Sequence, residues 1–229
     1  MRDRIEVNVL DQIKLMREAQ ATLPRNALVL DAGAGEGRYK GYFEHTRYIA
    51  YDFGQGDEGW NYGSLDCVGD LHALPFEDGA FDGVVCTQVL EHVRFPERVM
   101  GELTRVLKRG GHLYLSAPQG WHQHQKPHDY FRFTSFALDA MFRAQGLVPQ
   151  SIRPMGGYFW ALSYELQMMH YWLFPSQEKG LQRSVWGLLG SLAVRALFLF
   201  LAPLPLYYLD KFDKLKDKTM GYVCHCTKP

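Results

Sequence analysis

The sequence predicts an α/β fold, a mostly parallel sheet with helices on both faces. Three observations carry this. Short apolar runs alternate with helix-like stretches from residue 27 to residue 153, the rhythm that demands crossover helices around a parallel sheet. The first run, Leu28-Val29-Leu30, ends in Asp31 and enters a turn with glycine at 33, 35 and 37. A buried strand therefore meets a loop whose backbone approaches something closely, since glycine has no side chain to hold a ligand away. A second run, Tyr48 to Tyr51, ends in Asp52, about twenty residues on, the spacing that sets an acid at the carboxyl end of the neighbouring parallel strand.

The elements follow in order. Ile5, Val9, Ile13, Met16 and Leu23 recur at helical spacing over 5–22, and Pro24 and Asn26 end that helix before a strand at 27–31. Strands follow near 47–52, 66–69, 81–86 and 111–116. Helices are expected after residue 36 and at 88–94, 96–108 and 135–145, with Gly110-Gly111 capping the helix before the fifth strand. A sixth strand starts after Gly146 and covers 147–153. Residues 157–218 lose the rhythm and are rich in Trp, Tyr, Leu and Phe. Met220 to Thr227 then reads as a final strand. About sixty residues between the last two strands are far more than a hairpin loop uses.

Composition narrows the function classes. The 229 residues, 47% hydrophobic, suffice for one domain with an insertion. Lys plus Arg equals Asp plus Glu at 25 each, so no net charge draws the chain to nucleic acid, and no nucleic-acid partner is expected. Four cysteines are too few for a disulfide scaffold, and two of them sit inside predicted strands as small buried hydrophobes. The opening Met-Arg-Asp-Arg lacks the apolar core of a signal peptide, so the expected setting is cytoplasmic. The glycine turn also speaks about its ligand. A dinucleotide site wants Gly-x-Gly-x-x-Gly, but Arg38 stands where the third glycine belongs, and Glu36 would repel a phosphate. The loop suits a ligand without phosphates and disfavours a dehydrogenase.

Residues 28–39 resemble motif I of the class I S-adenosylmethionine-dependent methyltransferases. Gly69-Asp70-Leu71-His72-Ala73-Leu74-Pro75-Phe76, Phe81-Asp82-Gly83-Val84, Leu90-Glu91-His92-Val93 and Leu107 to Ser116 are similar, in order and spacing, to segments of the type-11 methyltransferase domain family. The resemblance covers residues 25–155 and, more loosely, the last ten. It implies a Rossmann-like class I methyltransferase sheet whose last strand is antiparallel and pairs with the sixth. The chain then divides into an N-terminal helix (1–24), a cofactor-binding core (25–156), an apolar helical insertion (157–218) and a closing strand (219–229). The cofactor implied is S-adenosyl-L-methionine. Asp31, Gly33, Ala34 and Gly35 are assigned to its methionine end, and Arg38 to the methionine carboxylate or else to a solvated face. Asp52 is assigned to the ribose hydroxyls and Phe53 to the flank of the adenine. Asp70 matches the position that takes the adenine amino group, with the Leu71 amide facing a ring nitrogen. Gln88, just past the fourth strand, lines the sulfonium side.

Methyl transfer is an in-line displacement at an activated carbon, so alignment is the main task; an aliphatic hydroxyl acceptor also needs a base. Residues 121–133 follow the fifth strand at its carboxyl edge and supply candidates. His128 is the candidate base, with His122, His124, Asp129 and Tyr130 as substrate-binding residues. The string Pro127 to Thr134 is similar to a segment of type-11 members associated with bacterial glycan genes, which implies O-methylation of a sugar or glycan precursor. The same string also fits a clamp that holds the loop on the sheet. A small-molecule or lipid-quinone methyltransferase is the alternative within this chemistry, and a non-catalytic cofactor-binding partner subunit the alternative outside it. His122, His124 and His128 lack the fixed offset of a metal motif, and no metal is expected. Glu91 and His92 read as structural. In Cys224-His225-Cys226, strand alternation puts both cysteines on one face and the histidine on the other.

Val185 to Leu209 is almost continuously apolar, broken by Arg195, Pro203 and Pro205, close to the ~20 residues of a membrane span. A single span would separate the closing strand from its sheet. The run is therefore expected to form a helical lid over residues 119–133, a homodimer interface, or a membrane-surface helix. Arg195 should reach a polar partner or the headgroup level.

Overall fold

The computed structural model describes residues 7–56, 59–173, 196–197 and 201–229. The chain forms two compact units, one of residues 1–155 with 221–229 and one of residues 156–220.

The first unit is a seven-stranded sheet. Its strands are β1 (Leu28–Ala32), β2 (Arg47–Asp52), β3 (Cys67–Val68), β4 (Phe81–Thr87), β5 (Leu107–Pro118), β6 (Val148–Pro154) and β7 (Gly221–Thr227), in the spatial order β3-β2-β1-β4-β5-β7-β6. The β1–β2, β1–β4, β2–β3 and β4–β5 pairs are parallel. β7 runs antiparallel between β5 and β6 and pairs with both, not with the sixth strand alone. The order reverses between β1 and β4, so the loops leaving those strands diverge and open a crevice at their carboxyl ends.

Strand alternation sorts the core into two layers. Leu30, Val84, Leu113, Leu115, Cys224 and Cys226 pack on one face with Val99, Met100 and Leu103 of helix α2 (Pro96–Val106) and Leu138 and Phe142 of α3 (Ser135–Ala144). Val29, Val85, Tyr114 and Val223, each offset by one residue, pack on the other face with Leu15, Met16 and Ala19 of α1 (Val7–Thr22). The cysteines share one face, and His225 stacks on Tyr114 on the other with ring centroids 4.6 Å apart. Helix α1 also buries a polar residue that its apolar spacing does not announce: Gln12 accepts a hydrogen bond from the Tyr39 hydroxyl at 2.5 Å.

Several expected elements differ. After the glycine turn the chain makes turns and a short 3-10 segment, Lys40–Phe43, in place of a helix. Gly37 at φ +74 breaks helical geometry there, and Gly41 further lowers the propensity. Residues 88–94 hold only a 3-10 turn at Leu90–His92, because Gln88 adopts φ +54 and Phe95, preceding Pro96, is held out of the helical region. The Gly110-Gly111 pair does not cap a helix. Helix α2 ends at Val106, and the glycines form an irregularity in β5, where pairing jumps from Phe81↔Leu107 to Gly83↔His112.

The second unit contains α4 (Tyr158–Leu173), α5 (Pro203–Leu209) and a 3-10 turn, Asp210–Phe212. Carboxylates distant in sequence serve the first amides of α4. Asp210 accepts from the amides of Gly157 and Trp160 at 3.0 Å, and Asp213 accepts from that of Tyr158 at 2.7 Å. These are the orphan donors of a helix start, where negative charge is favourable. Of the apolar run 185–209, residues 185–195 and 198–200 lie outside the described residues, and with them Arg195 and its expected partner. Among the described residues no helix is long and apolar enough to cross a membrane.

Candidate functional site

A cleft of about 980 Å³ opens at the carboxyl edge of the sheet in the first unit. Its inner wall comes from the loops after β1, β2 and β4, and its outer wall from Trp121 to Tyr130, after β5.

The glycine turn forms the floor. Gly33, Gly35 and Gly37 all have positive φ, at +84, +54 and +74, a region that costs other residues energy. A Cβ on Gly33 would run into the Val89 side chain, and one on Gly35 would lie 3.1 Å from the Trp60 ring. The amides of Gly33 and Ala34 donate to the Tyr51 carbonyl at 2.8 and 3.1 Å, which ties the turn to the end of β2. Asp52 completes the junction. One of its oxygens accepts from the Gly35 amide at 2.9 Å and the other from the Gly54 amide at 2.7 Å. Each oxygen keeps a further lone pair for a ligand hydroxyl. Glu36 is tied into the cleft wall: its side chain accepts from the Asn61 amide at 2.9 Å and its carbonyl from Ser64 at 3.0 Å, holding the loop that carries Trp60.

Asp70 and Leu71 enter from the loop after β3. Burial acts to raise the Asp70 pKa, but hydrogen bonds from the His72 amide and ring, with the nearby Arg98 charge, outweigh it and hold the carboxyl below its ordinary range. Gln88 stands at the head of β4 in its left-handed conformation, its amide on the Ser116 carbonyl at 2.9 Å and its side chain on the Ser116 hydroxyl at 3.1 Å. A strained non-glycine residue fixed at a cleft from both ends is a mark of functional sites.

The outer wall is organised by Arg132. Its guanidinium grips both oxygens of Asp129, at 2.6 and 2.8 Å, and donates to the carbonyls of Trp121, His122 and Phe131. The Asp129 side chain is 3% exposed. Arg132, and after it the His124 amide, hold the Asp129 carboxyl down to about 2 against the opposing effect of burial. The wall is stitched to the turn after β4 as well: the Tyr130 amide donates to the Glu91 carbonyl at 2.7 Å, and His92 Nδ1 meets the His128 carbonyl at 2.6 Å. His128 is exposed to the cleft, with Nδ1 3.0 Å from the Tyr130 hydroxyl. Behind it Glu91 is fully buried, and burial pushes its carboxyl up to about 8.

Gly33, Ala34, Gly35, Arg38, Asp52, Phe53, Asp70, Leu71, Gln88, His124, His128 and Tyr130 all line this one cleft. Three residues expected at the site do not. Asp31 lies beneath the turn, 1% exposed, and accepts a hydrogen bond from the Tyr48 hydroxyl; burial raises its pKa to about 7. Asp129 is consumed by Arg132, and the His122 ring is outside the lining. Trp121 lines the cleft from the expected 121–133 segment, whereas Trp60 and Tyr62 line it from a loop with no periodicity to betray them.

The fold and the cleft together define a class: an open α/β sheet with an antiparallel strand β7 near its edge and a crevice at its switch point. Residues 30–115 match the family model described as a methyltransferase domain. The sheet has the Rossmann-like fold of the class I methyltransferases. Among similar proteins, the Xenopus tropicalis tRNA (carboxymethyluridine(34)-5-O)-methyltransferase alkbh8 is 32% identical over 98 residues, which is 40% of this chain and 15% of that one. The chain spans less than half the length of the curated relatives it matches, 48% at most. In fold it is similar to the [4+2]-cyclase SpnF, at a TM-score of 0.58 and 20% identity, covering 97% of this chain and 82% of that one. It is also similar to the Burkholderia thailandensis 1,6-didemethyltoxoflavin-N1-methyltransferase, at 0.53 and 18%, covering 96% and 80%.

Proposed function

We propose that the chain is a methyltransferase that uses S-adenosylmethionine to methylate an oxygen of a sugar or other hydroxylated glycan precursor. The observation that carries the reading is the convergence of the glycine turn, Asp52, Asp70 and Gln88 on one cleft whose far wall is a polar and aromatic loop. S-adenosylmethionine, when bound, supplies a methyl group on a sulfonium, a carbon already activated for displacement. The remaining tasks fall to the chain. The free lone pairs of Asp52 suit a vicinal pair of ribose hydroxyls, and the turn without side chains at 33 and 35 admits the ligand backbone closely. Its solved neighbour from Burkholderia is described with S-adenosylhomocysteine bound, which agrees with a cradle built for an uncharged ribose rather than a pyrophosphate.

The acceptor end favours a hydroxylated ring. Trp121 and Tyr130 offer flat faces, and His124, Gln125, Lys126 and His128 offer hydrogen-bonding groups between them. With Nδ1 engaged by the Tyr130 hydroxyl, His128 has Nε2 left to take a proton from an acceptor hydroxyl. Calorimetry with S-adenosylmethionine and S-adenosylhomocysteine tests the first half of the proposal, and no heat at millimolar ligand would sink it. His128→Ala tests the second. Turnover should fall by roughly 10²–10⁴-fold with cofactor affinity unchanged, the worth of a positioned base. Near-normal turnover per folded molecule, with a lower melting temperature, would reduce His128 to part of the clamp.

A further inference from the structure

Glu91, His92 and His124 bring a carboxylate oxygen and two imidazole nitrogens within 4.8 Å of one another beside the cleft. We propose that these three residues hold a divalent transition-metal ion, of the zinc, cobalt or iron(II) kind, with its open coordination positions turned toward the acceptor end of the cleft. The group is distinct from the His122, His124 and His128 trio of the loop, of which it takes only one member.

Glu91 gives the first reason. It is 0% exposed, and neither of its carboxyl oxygens has a hydrogen-bond partner among the described residues. His92 Nε2 stands 3.8 Å from Oε1, beyond hydrogen-bond reach. Buried polar groups are nearly always partnered, and an unpaired buried carboxylate is expensive. A cation between the carboxylate and the imidazoles removes that cost.

The histidines give the second. A carbonyl can only accept, so the 2.6 Å contact of His92 Nδ1 with the His128 carbonyl places the ring proton on Nδ1 and leaves a lone pair on Nε2. That Nε2 is itself buried, with no hydrogen-bond partner among the described residues. His124 repeats the arrangement, its Nδ1 3.1 Å from the His122 carbonyl and 3.5 Å from Asp129. A carbonyl or carboxylate behind each ring is the usual outer support of metal-binding histidines. The Arg132 clamp, which fixes the carbonyls of Trp121 and His122 and the Asp129 carboxylate, then determines where His124 points.

Two histidines and one carboxylate leave coordination positions open, the ligand set of catalytic zinc and of non-haem iron(II) sites. His92 and His124 both line the cleft, so those positions are within reach of a bound acceptor. A hydroxyl on such an ion is acidified and fixed in place. This role rests on the methyl-transfer reading; the metal site does not.

The test is to strip the full-length chain with a chelator, add cobalt(II), and follow binding by calorimetry and by the visible absorption of the ion. A single site per chain is expected, with bands of a four- or five-coordinate centre. Glu91→Gln and His124→Ala should each weaken cobalt by about 100-fold or more, beyond what loss of a mere supporting contact does; His122→Ala should leave it unchanged. Circular dichroism on each variant separates this from misfolding, and His124 lies on a loop, where substitution is tolerated. No cobalt uptake, equal affinity in all three variants, or an equal loss with His122→Ala would overturn the site. S-adenosylhomocysteine binding, measured on the same samples, keeps the two proposals apart, since its failure with cobalt bound condemns only the methyl-transfer reading.

Discussion

Replacing Arg132 by alanine lowers the stability of the first unit by about 3–5 kcal/mol, the cost of leaving one member of a buried ion pair alone. Asp129, with a side chain 3% exposed, would lose two short hydrogen bonds. The carbonyls of Trp121, His122 and Phe131 would lose their donor at the same time. Turnover should fall with stability, because the loop so released carries His124, His128 and Tyr130. Arg132→Lys restores charge without the two-pronged grip, and should recover only part of the loss. Urea denaturation of the three proteins decides the point: a change under about 1 kcal/mol for the alanine variant would mean a surface pair of ordinary worth. Acid gives an independent reading. The Asp129 carboxyl is lowered from 3.8 to about 2. Its contribution is therefore complete above the unfolded value and is lost as pH falls through the folded one. Wild type should lose stability over that window, and the Arg132→Ala variant should lose less.

On the proposed reading, in which Asp52 is the charged acceptor of two ribose hydroxyls, Asp52→Ala should weaken S-adenosylhomocysteine by ~2–4 kcal/mol, or roughly 30- to 1000-fold. The structure adds a second source of loss. Both oxygens already hold backbone amides, those of Gly35 and Gly54, so the glycine turn would lose an anchor before any ligand arrives. Asp52→Asn keeps one acceptor oxygen and should fall between wild type and alanine. Calorimetry on the three proteins is the measurement, and wild-type affinity in the alanine variant would show that β2 does not deliver the ribose ligand.

Strands β1, β2 and β4 are the most legible because each combines an apolar run with a following turn, and the turn after β1 announces itself through three glycines that all have positive φ. Helices after residue 36 and at 88–94 misled, since helical spacing of side chains carries no information about a left-handed residue at Gly37 or Gln88. Asp31 was legible in principle. It has the parity of Val29, which packs against α1, and so it belongs beneath the sheet with Tyr48 rather than in the cleft. The clamp is legible only as an alternative role of the string Pro127 to Thr134, without Arg132 as its centre, and the Glu91–His92–His124 group is not legible. They depend on the path of an irregular loop, fixed by Arg132 contacts to carbonyls that every residue possesses.

The Met155 amide donates to the Gly221 carbonyl at 2.8 Å, so the chain leaves the sheet at the end of β6 and re-enters it at the facing position of β7. Whatever lies between is spliced across a gap already closed by the ladder. The entropy of closing such a gap grows only with the logarithm of length, about 0.6 kcal/mol per doubling. Evolution can therefore lengthen, trim or exchange residues 156–220 while the first unit keeps its shape. The junction works as a socket. Divergence among descendants of this chain should concentrate in what is plugged into it, while the glycine turn, Asp52 and the clamp stay as they are.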